Sequence, residues 1–213
     1  MKLLITLLTF ASLSLTSFGQ DAKSQDILDA LSTKMKTQHS FYIEFNASIK
    51  NSSTGTNESE TGKGWVKSNK YHASFGDNTI ISNGLKTWTI VKEEKSVYES
   101  DADEDDEESI NPSKLMTIWE TGFKNKYHKE ITLNNDPTHV IYLYPKNPGS
   151  VEYHTIILYI SKEKNELKKV TMKTKDGTSV TYSLTKFTSN TTIADSKFVF
   201  DSKKYPGYNV IRD

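Results

Sequence analysis

The sequence predicts a mainly β fold: one large antiparallel sheet of roughly ten or eleven strands, strongly bent and covered by two amphipathic helices. Three observations predict it. A helical period near the N-terminus gives way to a long run of period two. Strand-like segments then follow in quick succession, separated by hairpin-type turn residues. Each strand offers one apolar face, and too little sequence remains for a second sheet to cover it.

Residues 1–19 have the layout of a secretory leader: Met1-Lys2, an apolar run from Leu3 to Leu15, then Ser17 and Gly19 as small residues before a cleavage point. The alternative is a retained N-terminal anchor, but the run is shorter than the ~20 residues that span a bilayer. The expectation is therefore a single domain over 20–213, soluble after cleavage, with 26 basic and 27 acidic residues once Lys2 is lost. The chain has no cysteine. That excludes disulfides, thiol nucleophiles, thiolate metal sites and lipidation of the chain itself.

Ile27, Leu28, Leu31 and Met35 share one face of a helix over 24–36, capped by Ser24 with Asp26 in its first turn. Phe41, Ile43, Phe45, Ala47 and Ile49 then alternate with polar neighbours, as in a strand with one dry face. Asn51 to Glu60 reads as a polar loop. Strands follow at about 62–68, 70–76, 79–82, 86–92 and 95–100, with Asn83-Gly84 suited to a tight hairpin. Asn111-Pro112 opens a second short helix over 112–121, whose stripe holds Leu115, Met116, Ile118 and Trp119. The second half reads as strands near 125–133, 138–144, 153–161, 166–175 and 178–189, with turns at Asp136-Pro137 and Asp176-Gly177. Asp195 to Phe200 and Tyr205 to Ile211 close the chain. The wet face of the sheet is expected to meet water, and the two helices to lie over the dry one.

The order of these pieces resembles the outer-membrane lipoprotein carrier family (LolA-like), in its Bacteroidetes-type form. The resemblance rests on Gly62-Lys63-Gly64-Trp65-Val66-Lys67, Lys70-Tyr71, Ile80-Ile81-Ser82-Asn83-Gly84 before Thr87-Trp88, and a closing set with Asp176-Gly177, Tyr182, Phe187, Asp195, Phe198, Phe200 and Pro206-Gly207. It implies an unclosed half-barrel of about 11 strands with two or three helices as a lid, and no catalysis. It implies a periplasmic carrier that shields lipoprotein acyl chains and moves them from the inner to the outer membrane. The implied partners are acylated lipoproteins, an inner-membrane release complex and a transient outer-membrane acceptor, served by a monomer. One departure stands out. Better-known members carry an arginine after the glycine-led strand that helps hold the lid. Here that region reads Lys67-Ser68-Asn69, and Arg212 is the only arginine. Lys67 and Lys70 are the candidates in its place, without the forked geometry of a guanidinium.

The candidate lining of an acyl cavity is Phe41, Ile43, Phe45, Tyr71, Phe75, Trp88, Leu115, Met116, Trp119, Leu143 and Leu158. The same residues also suit an ordinary core. Each methylene hidden from water contributes about 0.8 kcal/mol, so acyl cargo needs such a surface to cross an aqueous space. Other chemistries find little support. The five histidines lack ligand spacing, Gly62-Lys63-Gly64 lacks the rest of a phosphate loop, and no nucleophile motif occurs. No metal, cofactor, enzymatic activity or nucleic-acid binding is expected. Asp101 to Glu108 holds seven acids in eight positions, read either as a solvated loop or as a docking or calcium patch. The competing function is a general periplasmic lipid binder or sensor on the same half-barrel.

Overall fold

The computed structural model describes residues 21–102 and 117–212. The expected leader, most of the acidic run, Leu115 and Met116 lie outside the described residues. The elements are α1 (Ala22–Lys36), β1 (Ser40–Asn51), β2 (Thr56–Lys67), β3 (Lys70–Phe75), β4 (Asn78–Ser82), β5 (Lys86–Val91), β6 (Ser96–Asp101), β7 (Phe123–Leu133), β8 (Asp136–Pro145), β9 (Tyr153–Ser161), β10 (Leu167–Thr174), β11 (Thr178–Ser189) and β12 (Asn209–Arg212).

All twelve strands join one sheet in the order β12-β6-β5-β4-β3-β2-β1-β11-β10-β9-β8-β7. The chain steps outward from β1 to β6, crosses to the far edge, and steps back from β7 to β11. β1 therefore sits near the middle, paired with β2 and β11. β12 and β7 remain as two unjoined edges, so the sheet is an unclosed half-barrel. Register breaks at Glu44/Phe45, Tyr127/Lys129 and in the β9–β10 pair add local twist and bend.

Several expectations need correction. The strand count is 12, not about 11, because β12 lies parallel on β6, with Val210 beside Val97. Arg212 Nε fastens this strand to Glu99 Oε2 at 3.3 Å. The described residues contain one α-helix, not two or three. The described part of the expected second helix, 117–121, is turn and bend. Thr117, Ile118 and Trp119 are weak helix formers, and burial of the indole outweighs what propensity remains. The polar stretch after Asn51 is not a long loop. β1 and β2 stay paired to Asn51 and Thr56. The Asn51 carboxamide closes the turn by accepting from Ser53 N at 2.8 Å and Thr54 N at 3.2 Å. The β7–β8 turn is Asn134-Asn135 rather than Asp136-Pro137. Both asparagines have positive φ, 53° and 61°, as a type I′ hairpin requires. Asp195–Phe198 and Ser202–Lys204 form 3-10 turns in the closing segment.

The helix starts two residues earlier than expected. Asp21 is the N-cap and accepts from Ser24 N at 3.2 Å. Ser24 is thus inside the first turn and fully buried, donating to Asn125 Oδ1 of β7. Lys34 and Lys36 suit the negative end of the helix. Leu28 and Leu31 are buried against the sheet, and Ile27 and Met35 pack beside them.

The wet face is not wet throughout. Ile81, Trp88, Ile90 and Val97 occupy the face opposite α1 on β4–β6 and form a second, smaller core. Phe200, Tyr205, Tyr208 and Val210 of the C-terminal segment cover it. Trp88 stacks on Phe200 with centroids 6.3 Å apart, and Phe200 on Tyr205 at 5.5 Å.

Candidate functional site

Side chains alternate across a strand, so the register decides which residues share a face. Phe41, Ile43 and Phe45 of β1 stand opposite Val66, Gly64 and Gly62 of β2. These in turn meet Tyr71, Ala73 and Phe75 of β3. On the other side of β1 the inner face continues through Phe187, Leu184 and Tyr182 of β11. It then runs through Val170 of β10, Leu158 of β9 and Ile141 of β8. The result is one apolar cluster reaching from β3 to β7 beneath α1.

Aromatic rings give this face its relief. Phe41 stacks on Phe187 at 5.6 Å, and Phe45 meets Phe75 at 6.2 Å and the edge of Tyr182 at 5.8 Å. The Phe45 ring lies across Gly62, where a Cβ would collide with it. A glycine on β2 is therefore what lets the ring lie flat against the sheet. Burial raises the pKa of the Tyr182 phenol, which stays protonated.

Helix α1 and the 117–121 turn are held over one half of this face. Trp119 Nε1 donates to Ser32 Oγ at 2.7 Å, and Asn125 Nδ2 to Gln25 Oε1 at 2.7 Å. Lys34 Nζ bridges Glu166 at 2.8 Å, and Lys36 reaches Glu120 at 3.4 Å. Lys23 Nζ sits 3.6 Å above the Tyr127 ring. Behind Tyr127, His139 is buried and its pKa is lowered by that burial. The covering is apolar in its centre and polar at its margins. Exposed pairs of this kind contribute roughly 0–1 kcal/mol each, so the buried leucines dominate the hold.

Of the predicted residues, Phe41, Ile43, Phe45, Tyr71, Trp119, Leu143 and Leu158 are buried in this one cluster, and Phe75 packs against it half-buried. Trp88 is not brought to them. It lies in the opposite-face core, because Ile81, its neighbour across the β4–β5 pair, points away from α1. Sequence reasoning missed Val66, Ile141, Ile156, Ile160, Val170 and Phe187. The alternation of Ile156, Leu158 and Ile160 about Ile157 and Tyr159 carried that signal. Lys67 and Lys70 do not hold α1. Both reach Asp195 Oδ1, at 3.0 and 3.3 Å, and so anchor the 3-10 turn at the start of the C-terminal cover. Hydrogen bonds from these two ammonium groups lower the Asp195 pKa.

Among the described residues no three His, Asp or Glu side chains gather as a metal site would require. No described helix is long and apolar enough to cross a membrane. Fold and face together define a class: an open half-barrel whose inner side presents a continuous apolar surface under a single helix.

The sequence matches the family described as outer membrane lipoprotein carrier protein LolA over residues 36–201. The chain belongs to that family. No curated protein matches it. An uncharacterized conserved protein from Thermus thermophilus has a similar fold, with 12% identity, a TM-score of 0.55, and 90% of this chain and 99% of that one covered. A LolA superfamily protein from Nitrosomonas europaea aligns with 10% identity, a TM-score of 0.44, and 83% and 97% covered. A DUF1329 family protein from Desulfovibrio piger aligns with 12% identity, a TM-score of 0.46, and 85% and 98% covered.

Proposed function

We propose that this protein is a periplasmic carrier that binds the acyl chains of lipoproteins on its inner face and conveys them from the inner to the outer membrane. The observation that carries this reading is the continuous apolar surface from Tyr71 on β3 to Phe123 on β7, beneath a helix with polar fastenings. Family membership supports the cargo class. Acyl chains would replace the helix as the partner of Phe41, Ile43, Phe45, Phe75, Leu143 and Leu158, and Trp119 would move with the cover. Burial of apolar area drives such loading at ~25 cal/mol per Å². The ring-rich surface suits apolar cargo.

The partners in this reading are acylated lipoproteins, an inner-membrane complex that releases them and an outer-membrane acceptor. The carrier acts as a monomer, without a cofactor or a catalytic step. The test is native mass spectrometry of residues 20–213 with a triacylated lipopeptide and its unacylated twin. A soluble 1:1 complex with the acylated form alone, released on adding outer-membrane vesicles, is the expected result. Equal binding of both forms would contradict it. Binding without release would favour a lipid-binding or sensor role.

A further inference from the structure

A groove of about 770 Å³, within the ~300–1,000 Å³ range of ligand pockets, is lined mainly by outer-face residues and reaches Phe45, Gly62 and Phe75 of the inner face at one side. Its floor is built from β1 to β4, where Tyr42, Trp65 and His72 stand side by side. The rings are close: Tyr42 to Trp65 is 5.0 Å and Trp65 to His72 is 5.5 Å between centroids. Lys197, from the C-terminal cover, forms a wall with its Nζ 3.6 Å over the indole, and Lys63 reaches the same ring at 5.7 Å. His72 Nδ1 meets the Lys197 carbonyl at 2.8 Å and fixes that wall to the floor.

The charges here are not balanced. Among the described residues, neither Lys63 nor Lys197 forms an ion pair, and Glu44, directly across the strand pair from Lys63, is turned to other partners. The one acid among the described lining residues, Glu44, is engaged by the Tyr42 hydroxyl at 2.8 Å and by Lys186 at 3.8 Å. Burial and then the neighbouring Lys63 and Lys204 lower the pKa of Lys197. An anion between the two lysines would relieve that repulsion. Beside them, Ser74 and Thr79 add hydroxyls to the lining. Cations without a carboxylate partner, aromatic rings and hydroxyls are the three surfaces a charged sugar uses.

We propose that this outer groove binds an acidic saccharide, its ring packed beside Tyr42 and Trp65 and its phosphate or carboxylate held by Lys63 and Lys197. The residues proposed to hold the saccharide, Tyr42, Lys63, Trp65 and Lys197, are on the face opposite the apolar cluster, so this site and the acyl-binding reading stand or fall separately. Soluble saccharides and glycolipid headgroups share the chemistry.

The test is calorimetric titration of the protein with glucose phosphate, inorganic phosphate and glucose. Saturable binding of glucose phosphate, weaker binding of inorganic phosphate and none of glucose are expected. Lys63→Gln and Lys197→Gln should each weaken glucose phosphate binding by about tenfold or more, with unchanged circular dichroism. Lys63 is exposed, so its variant keeps the fold and decides the matter if Lys197→Gln does not. Added co-sedimentation with phosphatidylcholine vesicles carrying phosphatidylinositol phosphate would assign a lipid-borne source; binding of glucose phosphate without co-sedimentation would assign a soluble one. No saturable heat with glucose phosphate, or equal affinity for inorganic phosphate, overturns the proposal.

Discussion

Trp88→Ala separates the two faces of the sheet. The indole is 8% exposed and is sandwiched between the β4–β6 surface and the C-terminal cover. Truncating a buried tryptophan costs about 3–5 kcal/mol, and roughly 2–4 °C of Tm is lost per kcal/mol in a chain of this size. The melting temperature should therefore fall by about 6–20 °C, measured by calorimetry or circular dichroism. The apolar cluster beneath α1 shares no residue with this core, so acyl-ligand affinity of the folded variant should be unchanged. The assay pairs urea unfolding with titration of the acylated lipopeptide well below the transition. A stability loss under about 1 kcal/mol would refute the burial argument, because that is the range of surface substitutions. A parallel loss of acyl affinity would refute the separation of faces.

Gly62→Ala places a Cβ inside the Phe45 ring, which must swing off the sheet, at a cost of about 1–3 kcal/mol in urea unfolding; Gly149→Ala, which meets nothing and needs no positive φ, is the control for space. Ser32→Ala leaves the Trp119 indole N–H without its acceptor, so amide exchange within α1 should rise about 5–30-fold, for a loss of 1–2 kcal/mol. Acid should weaken the fold through Asp136, whose pKa is lowered by hydrogen bonds from Lys168 and Ser161. Its contribution is present above the unfolded value near ~3.9 and is lost as pH falls through the lower folded value. Asp136→Asn should flatten the stability-against-pH curve in that window, as followed by urea unfolding across pH.

The part of the fold that repeats was legible, because alternation and hairpin turns are local signals. β1 shows this: Phe41, Ile43 and Phe45 fall on the inner face as their spacing requires. Gly84 and Gly177 take the positive φ that the Asn-Gly and Asp-Gly turns need. What stayed hidden depends on partners distant in sequence. Trp88 alternates as well as Phe45 does, but alternation cannot say which of two faces α1 will cover. That choice is made by the C-terminal segment, whose Phe200, Tyr205 and Tyr208 look like loop residues until they meet Trp88 and Ile90. The roles of Lys67 and Lys70 failed for the same reason: Asp195 lies more than a hundred positions away. The expected second helix rested on a cap and a stripe, and at its described end the tertiary seat of Trp119 prevailed.

Quenching by a bromine-labelled acyl chain tests the central claim most directly. The three tryptophans sit in three places: Trp119 under α1, Trp88 in the opposite core and Trp65 in the outer groove. Single-tryptophan variants, with phenylalanine at the other two positions, would be titrated with a lipopeptide carrying brominated chains. The account predicts saturable quenching of Trp119 and none of Trp88 or Trp65. Quenching of Trp88 or Trp65 with Trp119 unaffected would place the cargo on the wrong face and contradict it.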